Sequence, residues 1–92
     1  MWDASVYNDT GINESGVSVQ VVMGGYKAVI HPTQKAQWHG ESQGRMTLNV
    51  QDTLERFRSD SKDLVAGSEL ITFRYKVRVS GGRLVILESW AD

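Results

Sequence analysis

The stretch Glu69–Trp90 reads ELITFRYKVRV, then SGG, then RLVILESW, and the rest of the fold is built outward from it. Ile71, Phe73, Tyr75, Val77 and Val79 fall on every second position, with Thr72, Arg74, Lys76 and Arg78 between them. A period of two marks a strand with one buried and one wet face. In the second arm Leu84 and Ile86 share one face, and Val85 and Leu87 the other. Ser80-Gly81-Gly82 separates the arms, and glycine supplies the positive φ that tight hairpin turns demand. The spacing predicts a long β-hairpin.

Upstream, Val17, Val19 and Val21 alternate with Ser18 and Gln20, and Gly24-Gly25 leads into Tyr26, Ala28 and Ile30 on one face. Two alternating runs around a glycine pair predict a second hairpin, which Pro32 should end because it lacks a ladder donor. Residues 32–44 carry only Ala36 and Trp38 as further apolar members and read as a long loop. Met46, Leu48 and Val50 resume the alternation of a strand. Asp52 and Glu55 form a capping-box pattern, with Val50, Leu54 and Phe57 spaced to face a core, so 52–59 is expected to be a short helix. Residues 60–68 read as a loop with Leu64-Val65 tucked inward. Residues 1–16 are turn-rich and read as an arm that orders on a partner, the alternative being an edge strand pinned by Trp2 and Tyr7. The sum is one mainly β domain over 17–92 behind an N-terminal arm. It would be a small antiparallel barrel or two-layer sandwich of five or six strands with one short α-helix.

At 92 residues, the chain can bury a modest core but hardly a core and a deep substrate cleft. A net charge of −1 gives no global pull toward nucleic acid or acidic lipid. Residues 1–44 hold two basic and four acidic residues, and residues 45–92 hold eight basic and seven acidic, an asymmetry that suits head-to-tail contact between copies. The absence of cysteine removes disulfides and thiolate sites. The N-terminus has neither the basic start nor the apolar run of a signal peptide. No stretch reaches the roughly 20 apolar residues of a membrane helix. A soluble protein, not secreted by a signal peptide, is expected.

Several patterns resemble chemistry without its context. Gly40-Glu41-Ser42-Gln43-Gly44 matches a nucleophile elbow, but a polar run precedes it and a strand follows. Asp9-Thr10-Gly11 lacks the apolar flanks that an aspartic-protease carboxylate needs. His31, His39 and Glu41 would have to draw three zinc ligands from one loop. Asn8-Asp9-Thr10 and Asn13-Glu14-Ser15 fit the glycosylation sequon and read as turns. No catalytic residue, metal site or cofactor is expected.

Two features point to binding. Arg74, Lys76 and Arg78, with Arg83 across the turn, form a basic stripe suited to an acidic protein surface, to phosphates, or simply to solvent. Phe73 and Tyr75 face away from it, so no stacking platform accompanies the charges and nucleic acid is disfavoured as a partner. Trp2, Trp38 and Trp90 sit in the arm, the long loop and the tail, where tryptophan serves either as an interface anchor or as a cap on a small core. The expected interface comprises Trp2, Tyr7, Trp38, His39, Arg74, Lys76, Arg78 and Arg83.

The order of short strands, long mid-chain loop, glycine turn at Gly67 and terminal hairpin with Tyr75, Val77, Gly82, Leu84 and Leu87 resembles the small head–tail joining proteins of tailed bacteriophages, of the head-completion and stopper types. That resemblance implies no catalysis. It implies a ring of copies between portal and tail, in the virion or host cytoplasm, with the mid-chain loop and terminal arm making the contacts. A virion-assembly component binding copies of itself and neighbouring assembly proteins is therefore expected. A small inhibitor or regulator, gripping an enzyme or a nucleic-acid-binding surface through the basic hairpin face, is the alternative.

Overall fold

The computed structural model describes residues 1–11 and 16–89. Eight strands run in chain order: β1 (Trp2–Asn8), β2 (Val19–Met23), β3 (Tyr26–Ile30), β4 (Lys35–Gly40), β5 (Gly44–Asp52), β6 (Asp60–Ala66), β7 (Ile71–Ser80) and β8 (Arg83–Glu88). They form two four-stranded sheets, β4-β1-β7-β8 and β3-β2-β5-β6, with no closed barrel among the described residues. Their inward faces share one core. Trp2, Val6, Trp38, Phe73, Val77 and Leu84 enter it from the first sheet, and Val19, Val21, Met23, Leu48, Val50 and Leu64 from the second.

The main hairpin is as expected: Ser80 pairs with Arg83, and Gly81 and Gly82 form the turn with φ of 60° and 77°. Two positive φ values in a two-residue loop match the right-handed twist of the flanking strands. The second hairpin also forms, with Met23 opposite Tyr26 around Gly24-Gly25.

Four expectations are corrected. First, the supposed N-terminal arm contains β1, an interior strand between β4 and β7. It runs parallel to β7, so the first sheet is mixed rather than wholly antiparallel. Alternation fixes which residues face inward, but not which strands become neighbours. Second, the supposed long loop contains β4, whose Ala36 and Trp38 are inward and whose Lys35, Gln37 and His39 are exposed.

Third, no helix forms over 52–59, and the described residues contain none. The buried Asp52 carboxylate accepts backbone N–H groups as a cap would, from Leu54 at 2.9 Å, Arg56 at 3.0 Å and Phe57 at 3.2 Å. Glu55 adopts a left-handed φ of 55°, which wraps the chain around the carboxylate and ends any helical continuation. Leu54 consequently points to solvent, while Phe57 packs on the core. Fourth, residues 60–66 form β6 with Leu64 and Ala66 inward, which leaves Val65 62 % exposed instead of tucked in. Eight strands replace five or six.

One seam between the two sheets runs along β8. Arg58 forms a bridge with Arg83, its carbonyl accepting from the Leu84 N–H at 2.8 Å and its N–H donating to the Gly82 carbonyl at 3.2 Å. The Asp60 carboxylate then accepts the Ile86 N–H at 2.9 Å. These contacts cover the edge of β8, where unpaired backbone groups invite pairing with another chain.

Candidate functional site

The candidate site is the outward face of the β4-β1-β7-β8 sheet. Alternation turns Asp3, Ser5 and Tyr7 of β1 outward, along with Thr72, Arg74, Lys76 and Arg78 of β7 and Lys35, Gln37 and His39 of β4. The register then sets the rows. Ser5 lies opposite Gln37 on one side and Arg74 on the other. Tyr7 lies between Lys35 and Lys76. With strands about 4.8 Å apart, Lys35 and Lys76 flank Tyr7 across a span of about 10 Å.

This face holds a depression of about 470 Å³ bordered by Ser5, Tyr7, Thr33, Lys35, Arg74 and Lys76. A second depression of about 370 Å³ adjoins it, sharing Ser5, Lys35 and Arg74 and reaching Asp3 and His39. Neither Lys35 nor Lys76 has an ion-pair partner among the described residues. Asp9, the one carboxylate among the described residues at the first depression, accepts a hydrogen bond from Arg78 Nε at 2.7 Å, which offsets its charge.

The structure divides the residues expected at an interface. Tyr7, Arg74 and Lys76 come together at the first depression, and His39 joins at the far end of the second. Arg78 is turned to Asp9, and Arg83 stands 3.6 Å from Asp60 at the seam. Trp2 and Trp38 are only 5 % and 8 % exposed, so neither ring is offered to a neighbour in this fold. Trp2 Nε1 donates to the Ser42 carbonyl at 3.1 Å, and Trp38 stacks on Tyr26 with ring centroids 4.2 Å apart. Trp90 lies outside the described residues, as does the sequon at 13–15.

Lys35 and Ser5 were not among the expected site residues. Their one sequence signal is that Lys35 alternates with Ala36 and Trp38, and Ser5 with Ala4 and Val6, as surface positions of strands do. The other motifs take structural places. Asn8 and Thr10 are buried in a hydrogen-bonded cluster with the Val17 backbone. Ser42 Oγ lies against Met46 Sδ. His31 Nδ1 is 2.7 Å from Ser18 Oγ. No group of three His, Cys, Asp or Glu residues placed to hold a metal ion occurs among the described residues. No helix of the described residues is long and apolar enough to cross a membrane.

No protein-family model, curated protein or solved structure matches this chain.

Proposed function

We propose that this chain is an interaction protein, not an enzyme, and that it engages an acidic protein surface through the outward face of the β4-β1-β7-β8 sheet. One observation carries this reading. Strands β4 and β7, far apart in sequence, bring Lys35 and Lys76 to one depression on either side of Tyr7 of β1, where Asp9, the one carboxylate among the described lining residues, is already paired. A cluster of like charges costs self-repulsion in the free protein, and an acidic partner relieves it while steering the encounter.

Among the described residues the exposed carboxylates Asp3, Glu41, Glu55, Asp63, Glu69 and Glu88 are spread over three strands and three connections, so no single acidic face complements the basic one. A foreign acidic partner therefore fits better than a second copy. This favours the inhibitor or regulator reading. Virion assembly at a phage head–tail junction, in the virion or host cytoplasm with copies of the chain and adjoining assembly proteins as partners, rests on the resemblance in chain order. In that setting too, the contacts would pass to this face, because Trp2 and Trp38 are packed inside.

Polyglutamate is a suitable probe. Its binding to the full chain should fall steeply with ionic strength, as contact between exposed charges does. Lys35→Glu with Lys76→Glu should abolish it. Binding that survives both the salt and the charge reversal would refute the proposal, and a ring-sized mass by light scattering would favour assembly over regulation.

A further inference from the structure

We infer that the larger depression is a subsite for a ring-bearing phosphomonoester, with Lys35 and Lys76 holding the phosphoryl oxygens and Tyr7 meeting the ring. This rests on the reading of the face as an acid-binding surface and names the chemistry it selects. Two lysines without an ion-pair partner among the described residues, and the hydroxyl-bearing Ser5, Tyr7 and Thr33, line a single depression, with Arg74 also on its border. Ammonium and guanidinium groups donate to phosphate oxygens through charge-assisted hydrogen bonds. A carboxylate on the border would repel such a ligand, but Asp9 is paired with Arg78 at 2.7 Å.

Size and composition separate this ligand from a bare anion. The volume of about 470 Å³ falls within the range of small-molecule sites, and inorganic phosphate would leave most of it empty. Tyr7 stands on an interior strand with a lysine on each side, so a ring stacked on it keeps its phosphate within reach of both. Phe73 and Tyr75 of β7 are buried on the inward face, and it is the pairing of β1 with β7 that puts an aromatic, Tyr7, beside the stripe.

The border is also held in a costly conformation. Thr33 adopts a φ of 71°, which a β-branched residue seldom takes, and its N–H is tied to the Asn8 carbonyl at 3.0 Å. Strain of this kind gathers at ligand-holding positions. A phosphomonoester of this class can be a free nucleotide or a phosphotyrosine of a partner protein, and the chemistry recognised is the same.

Amide-shift titration of the isotope-labelled full chain tests the inference. Phenyl phosphate should bind at least tenfold more tightly than inorganic phosphate and move the amides of Ser5, Tyr7, Lys35 and Lys76. Lys76→Gln should weaken it roughly tenfold, the loss expected when one charged hydrogen bond is removed. Lys27→Gln, on the other sheet, should change nothing. If the spectrum of Lys76→Gln is that of an unfolded chain, Lys35→Gln on the exposed edge strand decides. Tighter binding of a nucleoside 5′-monophosphate would identify a free nucleotide as the source. Tighter binding of a phosphotyrosine peptide would identify a modified partner, and equal binding would support the shared chemistry. Equal affinity for phenyl and inorganic phosphate, shifts centred elsewhere, or indifference to both lysine variants would overturn the inference. If polyglutamate binds and phenyl phosphate does not, the subsite falls and the acid-binding face stands; if neither binds, both fall.

Discussion

Gly40 lies opposite Trp2 in the β1–β4 ladder, and a Cβ there would come within 2.4 Å of the indole Cζ2. The ring cannot swing aside freely, because its Nε1 is bonded to the Ser42 carbonyl. Gly40→Ala should therefore lower stability by about 1–3 kcal/mol in urea denaturation, the cost of overpacking. Gly25→Ala, where nothing lies within 4 Å, should stay within about 0.5 kcal/mol of the parent. Asn8 is the corresponding polar position. Its side-chain amide donates to the carbonyls of Val17 at 2.7 Å and Ile30 at 2.9 Å, fastening the end of β1 to the other sheet. Asn8→Ala would remove the side-chain donor to both carbonyls, leaving Val17 with the Thr10 hydroxyl at 3.2 Å, and should cost about 1–3 kcal/mol by the same assay. Neither constraint could be read from the chain. Asn8-Asp9-Thr10-Gly11 has the composition of a turn, and its role depends on carbonyls that only the fold brings near.

The Ile71–Ser80 and Arg83–Glu88 hairpin was legible because alternation and a glycine turn agree along its whole length. Strand β4 was not, because it offers just two inward residues, Ala36 and Trp38, among polar neighbours. Asp52 carried a real signal with the wrong consequence: it does gather backbone amides, but around a loop. At this scale the Asp60 carboxylate of β6 holds the seam with β8. Asp60→Ala removes the acceptor of the Ile86 N–H and the neighbour of Arg83, so amide exchange at Ile86 should quicken while Val50 in β5 keeps its protection. Equal rates in both proteins would show that the carboxylate does not hold the seam. Tyr75 offers a test in pH. Burial, and then the Glu88 carboxylate across the hairpin, raise its phenol above the ordinary value of 10.0. The folded chain thus keeps a proton that the unfolded chain gives up. Its contribution is intact below pH 10 and is lost as pH rises through 10 and then through the raised folded value. The denaturation midpoint of the parent should fall over that range relative to Tyr75→Phe, whose midpoint should lack that component.

Over the whole molecule, two sheets with a shared core present unlike outer faces. The outward positions of the β3-β2-β5-β6 sheet are mostly uncharged, among them Gln20, Val22, Val29, Thr47, Asn49 and Gln51, whereas the other sheet gathers Lys35, Arg74 and Lys76. Half of that basic site was visible in the alternation of β7. The rest was hidden because Tyr7, Ser5 and Lys35 reach the stripe only when β1 inserts between β4 and β7, a pairing that no local pattern reports. Two of the cations assigned to the stripe by spacing, Arg78 and Arg83, are directed instead to Asp9 and Asp60. Binding by this face should therefore respond to Lys35 and Lys76 far more than to Arg83. The most direct test is an amide-shift map of the labelled chain titrated with polyglutamate at low salt. We expect the largest shifts at Ser5, Tyr7, Lys35, Arg74 and Lys76, and their disappearance at high salt. Shifts centred on Lys27, Asn49 and Asp63 of the other sheet, or none at all, would contradict the assignment of the binding face.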